Sequence, residues 1–255
     1  MRRWRWLRDG PAPGAWNMGV DEALLASVAR GAPPALRFYA WQRPTLSLGF
    51  AQTLTGERRA ACAARGVEVV RRSTGGGAVL HGSDLTYSVT APATDLPGDV
   101  VACYALLAAG LVEGLRTLGV EARCVARGAQ TARADFDCFA RAGAGEIVAA
   151  GAKLCGSAQR RVRGGLLQHG SLRLRPDPPG ASEAAGIDSR AATSLAELGC
   201  AAAPAEVAEA LARALARALG ARLEPDELEP GERRTAANRP ARAVRSGVLP
   251  PQGPL

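Results

Sequence analysis

Of the 32 basic residues in this 255-residue chain, 31 are arginine, and Lys153 is the only lysine. An ammonium is a compact charge whose proton can move, which a guanidinium does not offer. Its neighbourhood reads Gly151-Ala152-Lys153-Leu154-Cys155-Gly156-Ser157-Ala158-Gln159, and Asp135-Phe136-Asp137-Cys138-Phe139 lies shortly before it. A thiol becomes a good acyl acceptor once ionised, and a nearby ammonium favours the thiolate. Cys155 would share a face with Lys153 on a regular strand, whereas Cys138 could reach it from a neighbouring strand or loop. Spacing does not choose between them. The other chemistry-bearing stretch is Arg71-Arg72-Ser73-Thr74-Gly75-Gly76-Gly77-Ala78-Val79-Leu80-His81. Three glycines let backbone approach a ligand with no Cβ in the way, and their N–H groups can face an oxyanion or carbonyl. Two arginines before them suit an anionic group. The stretch matches neither the P-loop nor the Rossmann glycine pattern. No Ser-His-Asp pattern accompanies His81 or His169, so neither is read as a catalytic base.

The elements that must position these residues follow from apolar periodicity and breakers. Residues 17–29 read as a helix, ended by Gly31, Pro33 and Pro34. Strands are expected over 36–41 and 45–50, a helix over 56–65, and a strand over 67–71 that runs into the glycine box. A strand over 85–90 and a helix over 99–118 follow, the latter with Leu107, Leu111, Leu115 and Leu118 at helical spacing. Strands near 120–125, 146–150, 153–158 and 165–174 precede a loop over 176–190 and a helix over 204–219. Strands follow one another directly, which implies an α+β fold: a mixed or antiparallel sheet with helices packed against it, in one main domain. The expected division is an N-terminal segment over 1–14, a catalytic domain over 15–225 and a loose Pro/Arg-rich tail over 226–255.

Composition limits the function classes. The chain is 47% hydrophobic and 22% charged, within the globular range and outside the disordered one. The longest uncharged apolar run, Val100 to Val112, spans 13 residues, short of the ~18–20 that a membrane span needs. No secretory leader is expected, because Gly10, Pro11, Pro13 and Gly14 follow the basic N-terminus. The six cysteines form no C-x-x-C pair, so no metal site is expected, and most are read as small buried hydrophobes of a cytoplasmic protein. The net charge of +8 fits an acidic protein or anionic partner better than nucleic acid, since the arginines form no aromatic-interleaved block.

Taken together, RRSTGGGAVLH (71–81), DLTYS (84–88), GAKLCGSAQRR (151–161) and LLQHGSLRL (166–174) resemble the lipoate–protein ligase and octanoyltransferase family. MGVDEALL (18–25) and RFYAWQRPTLSLGFAQ (37–52) are similar to it as well. The resemblance covers roughly residues 15 to 225 and implies the catalytic fold shared with biotin protein ligases. It implies that Arg72, Gly75, Gly76, Gly77 and His81 line a tunnel for an eight-carbon acyl chain, and that Lys153 contacts the acyl carbonyl region. The Asp137-Cys138-Phe139 context resembles the branch in which a cysteine takes octanoate from acyl carrier protein. That branch passes it to a lysine of the glycine cleavage H protein or a lipoyl domain, with no cofactor. The third glycine of the box is shared with the other branch, ligases that use ATP and Mg²⁺, some of them split over two chains. The resemblance thus implies Cys138 as nucleophile and Lys153 as the group that activates it and holds the oxyanion.

Overall fold

The computed structural model describes residues 1–126, 136–178 and 180–238. Asp135 of the motif above, and residues 239–255 of the expected tail, lie outside the described residues. In chain order the elements are β1 (Arg2–Ala12), α1 (Gly14–Ala29), β2 (Ala35–Trp41), β3 (Thr45–Leu48), α2 (Gly56–Ala64), β4 (Glu68–Arg71), β5 (Val79–His81), β6 (Asp84–Pro92) and α3 (Val100–Thr117). They continue with β7 (Ala122–Cys124), β8 (Ile147–Ala149), β9 (Ala152–Val162), β10 (Gly165–Arg173), α4 (Ala181–Ala185), α5 (Pro204–Ala218), β11 (Ala221–Pro225) and α6 (Pro230–Asn238). A single 3₁₀ turn, Cys138–Ala140, precedes β8.

Eight strands form one mixed sheet in the order β11-β1-β2-β6-β10-β9-β8-β7. The pairs β11–β1 and β1–β2 are parallel, and the pairs from β2 to β7 are antiparallel. A second sheet, β4-β3-β5, stands beside it. The α+β architecture expected from consecutive strands is the one observed. The main core joins the large sheet to α3 and α5 through Leu36, Val89, Leu107, Leu111, Leu166, Leu211 and Leu215. The leucines of α3 and α5 recur every four residues, which places them on one face of each helix. Gly110 and Gly114 let the two helices close, since a Cβ at Gly114 would meet Leu211 at 2.8 Å. α3 is the one described helix long and apolar enough to cross a membrane; here its leucine face is buried in this core.

Three differences from the sequence reading stand out. Residues 2–12 of the expected N-terminal segment are a strand, β1: Trp4 is buried in the main core, Leu7 in a separate cluster with α1, and Arg5 is buried against Glu232, while Arg2, Arg3 and Arg8 are exposed. Residues 230–238 form a helix within the expected tail. It is anchored by Glu232, whose carboxylate takes two hydrogen bonds from the buried Arg5 guanidinium at 2.7 and 2.9 Å. Residues 181–185 within the expected loop form the short helix α4, packed in a small core with Leu46 and Leu48 of the second sheet and with Leu54.

Candidate active site

A cleft of about 350 Å³ opens between the two sheets, within the usual span of about 300–1,000 Å³ for small-molecule sites. One wall comes from the second sheet: Ser47, Arg72, Gly76, Gly77, Val79 and His81. The opposite wall carries Thr86 of β6, Gly156, Ser157 and Ala158 of β9, and His169 and Ser171 of β10. The segment from Asp137 to Glu146 closes one side.

Cys138 lies on that segment, at the start of the 3₁₀ turn. Asp137 caps the turn, its carboxylate accepting from the Phe139 N–H at 2.7 Å and from the Asp188 N–H at 2.9 Å. Burial raises the Asp137 carboxyl above its ordinary value against those two bonds. The Cys138 N–H donates to Ala78 O at 2.9 Å, and the Ala78 N–H to Phe136 O at 2.5 Å. The cysteine turn is thereby stitched to the end of the glycine box.

Lys153 Nζ lies 3.5 Å from Cys138 Sγ. It also donates to Cys138 O at 2.5 Å, to Arg141 O at 3.3 Å and to Glu146 Oε1 at 2.5 Å. The side chain is 1% exposed. Three ammonium hydrogens thus face four acceptors, so the amine is a fixed positive charge under the sulfur rather than a free arm.

How Lys153 gets there overturns the simple strand argument. Between β8 and β9, Ile147 pairs with Cys155 and Val148 with Lys153. Two steps on β9 therefore match one on β8, a bulge of the kind that re-aims a side chain. A Cβ on Gly156 would sit 3.0 Å from Lys153 Cε and 3.5 Å from Cys138 Sγ, so Lys153 shares its side with Gly156. Cys155 instead enters the main core, 2% exposed. Burial pushes its thiol up to about 12, with the Lys153 charge only partly offsetting this. Cys155 is thus a neutral, enclosed thiol at neutral pH.

The glycine box is held from beneath. Arg72 donates to Gly75 O at 2.7 Å, Gly77 O at 2.6 Å and Ser47 O at 2.8 Å. Arg71 donates to the Gly49, Phe50 and Gln52 carbonyls at 2.9, 2.9 and 2.6 Å. Both arginines were read as suited to an anionic group; in the structure Arg72 and the Nη1 of Arg71 donate to backbone carbonyls. Arg72 does border the cleft; burial lowers its guanidinium, with Cys138 the largest opposing charge. Gly76 and Gly77 line the cleft, whereas Gly75 is exposed and does not. Gly76 takes φ +89, which a side chain would resist, and its carbonyl presses on Gly49 so closely that a Cβ there would lie 2.1 Å away.

Both histidines carry a carboxylate on one nitrogen and a hydroxyl on the other. His81 Nδ1 is 2.8 Å from Asp84 Oδ2 and Nε2 is 2.8 Å from Ser47 Oγ, while Trp41 stacks on the ring at 3.9 Å. His169 Nδ1 is 2.9 Å from Asp21 Oδ2 and Nε2 is 2.7 Å from Thr74 Oγ1. A Ser-His-Asp set therefore does exist in space, although no sequence pattern shows it. Ser47 is 1% exposed and also accepts from Arg72 at 3.2 Å, which fits a wall-building role. Burial alone would raise the Asp21 carboxyl; the His169 hydrogen bond and the Arg37 charge outweigh it and hold it below its ordinary value. Burial is likewise outweighed at Asp84, by the His81 charge and hydrogen bond. Sequence reasoning missed Asp21, Asp84, Glu146 and Gly156. Only Asp84, three residues after His81, carried a local signal.

A model of the lipoyl protein ligase A/B catalytic domain matches residues 13–216. The chain belongs to this family. Among curated family members it is similar to the octanoyltransferase LipM of Kyrpidia tusciae, at 43% identity over 92% of this chain and 94% of that protein. Similarity to the octanoyltransferase LipM of Symbiobacterium thermophilum is 39% over 91% and 92%. Among solved structures, a lipoate–protein ligase A bound with ATP has TM-score 0.79 and 25% identity, over 92% of this chain and 93% of that one. The bi-partite lipoate protein ligase of Thermoplasma acidophilum, with TM-score 0.74 and 22% identity over 93% and 91%, shares the family fold.

Proposed function

We propose that this family member moves an octanoyl group from a carrier thioester to an acceptor lysine through a thioester on Cys138. The chain is an octanoyltransferase of lipoate biosynthesis: relatives of that name match it at 37–43% identity, two of them across more than nine-tenths of both chains. The observation that carries the cysteine route is the 3.5 Å contact between Cys138 Sγ and Lys153 Nζ at the edge of the cleft. A positive charge fixed there stabilises an anionic sulfur. The thiolate attacks the donor carbonyl, a new C–S bond forms, the donor's C–S bond breaks, and the donor thiolate leaves with the proton that Cys138 gave up. Gly76, Gly77 and His81 wall the acyl chain, with Arg72 holding the glycine loop in place. With its hydrogens already committed, Lys153 acts on the sulfur first and on the oxyanion only by releasing one of its acceptors.

Octanoyl-acyl carrier protein is the proposed donor. The glycine cleavage H protein or a lipoyl domain is the proposed acceptor. The +8 charge would steer acidic partners to the enzyme. The reaction as written needs no cofactor, and six free thiols fit a cytoplasmic setting. The test is intact mass after incubation with octanoyl-acyl carrier protein: one octanoyl adduct on the native chain and on Cys155→Ala, none on Cys138→Ala. An adduct that survives Cys138→Ala moves the nucleophile elsewhere. Acceptor labelling that needs ATP and free lipoate, and is indifferent to Cys138→Ser, makes the chain a ligase.

A further inference from the structure

The octanoyl group leaves Cys138 only when an acceptor amine attacks it, and that nitrogen must then shed a proton. Neither Cys138 nor Lys153 is arranged to take it. The sulfur is the bond being broken, and the lysine is a buried cation surrounded by acceptors. Glu146 is the remaining acidic side chain at the pair. It lines the cleft, its side chain is 13% exposed, and Oε1 is 2.5 Å from Lys153 Nζ. Oε2 accepts the Gly143 N–H at 2.6 Å. A carboxylate offers about four lone-pair positions, so two are free for a group entering the cleft. Asp137, the other cleft-lining carboxylate of this segment, likewise accepts one bond on each oxygen, but it is Glu146 that is hydrogen-bonded to Lys153. Glu146 is thus the one placed to meet both the sulfur's partner and an incoming nitrogen.

We propose that Glu146 is the catalytic base of the second half-reaction, taking the proton from the acceptor lysine's nitrogen and returning it to the sulfur through Lys153. The free amine attacks the Cys138 thioester carbonyl and a C–N bond forms. One N–H proton passes to Glu146. The C–S bond breaks, the departing sulfur takes a proton from Lys153, and Glu146 returns its proton to Lys153. The net change is one hydrogen moved from amine nitrogen to sulfur, with no other reagent. This inference rests on the Cys138 thioester proposed above.

The test separates the two. Full-length enzyme is loaded with octanoyl from a small thioester, octanoyl-N-acetylcysteamine, and the acyl-enzyme is isolated and checked by mass. It is then mixed either with a lipoyl-domain acceptor or with hydroxylamine, whose weakly basic nitrogen sheds its proton without help. Glu146→Gln is expected to slow transfer to the lysine by roughly 10²–10⁴-fold while hydroxylamine release changes by less than about threefold, with Glu146→Asp recovering part of the loss. Equal losses with both nucleophiles, or no loss with lysine, overturn the proposal. Should Glu146→Gln fail to load, Glu146→Asp decides: transfer to lysine slowed by about tenfold or more, with hydroxylamine release within about threefold, supports the base; a native rate with lysine, or equal slowing with both nucleophiles, overturns it. Failure of the native chain to load at Cys138 refutes the thioester reading itself, a distinct outcome.

Discussion

Replacing Gly156 with alanine puts one methyl group against the reacting pair. An ideal Cβ there lies 3.0 Å from Lys153 Cε, 3.2 Å from Nζ and 3.5 Å from Cys138 Sγ. Carbon atoms rest at about 3.5–4.0 Å, so the lysine must retreat by about 0.5–1 Å. It has little room, because Nζ is tied to Cys138 O and Glu146 at 2.5 Å each. At an effective dielectric of about 20, unit charges 3.5 Å apart attract by about 5 kcal/mol, and a retreat of about 1 Å removes about 1 kcal/mol of that. A change of that size is about sixfold in thiolate-dependent rate. Crowding a central strand adds a stability cost of about 1–3 kcal/mol. Two assays read the two effects: urea unfolding for stability, and the rate of Cys138 alkylation by iodoacetamide at neutral pH, followed by peptide mass. The expected outcome is a folded variant alkylated several-fold more slowly and acylated more slowly in step. A folded Gly156→Ala protein that reacts at the native rate would refute the claim that the Lys153 contact activates the sulfur.

Other outcomes follow from the same coordinates. Cys155→Ala should keep octanoyl loading intact, and native Cys155 should resist iodoacetamide at neutral pH, since its thiol lies at about 12; ready alkylation of Cys155 in folded protein would contradict this. Asp21 and Asp84 have folded values below the ordinary carboxylate value, so they bind protons more tightly when unfolded. Their stabilisation is complete above about pH 4 and is lost as pH falls below it toward their folded values. Urea midpoints measured across that window should drop for the native chain and drop less for Asp84→Asn. Glu232→Ala removes the buried partner of Arg5 while Asp226 still pairs with it, and should cost about 1–3 kcal/mol, seen as a lower urea midpoint; an unchanged midpoint would mean that α6 does not stabilise the fold.

The single lysine, the glycine box and the leucine spacing of α3 and α5 are local features, and a local pattern was enough to find them. Elements with continuous apolar periodicity were legible for the same reason, as the α+β class was from strands that follow one another. β1 was not, because its several arginines and its glycine and proline give no strand pattern until a parallel partner appears on each side. α6 was hidden because its sequence is polar and its anchor, Arg5, lies 227 residues away.

At the active site, residue types were readable in the chain, but their directions were not. Period-two alternation puts Lys153 and Cys155 on one face; one bulge against β8 sends the lysine to the cleft and the cysteine to the core. Arg71 and Arg72 advertise anion binding by type, yet Arg72 donates to carbonyls of the glycine loop and the Nη1 of Arg71 to those of Gly49, Phe50 and Gln52, because bent loops leave carbonyls to satisfy. Sequence by itself therefore determined which groups were available for chemistry. The tertiary structure alone decided which were already spent, since hydrogen bonds between residues far apart in the chain carry no local signature.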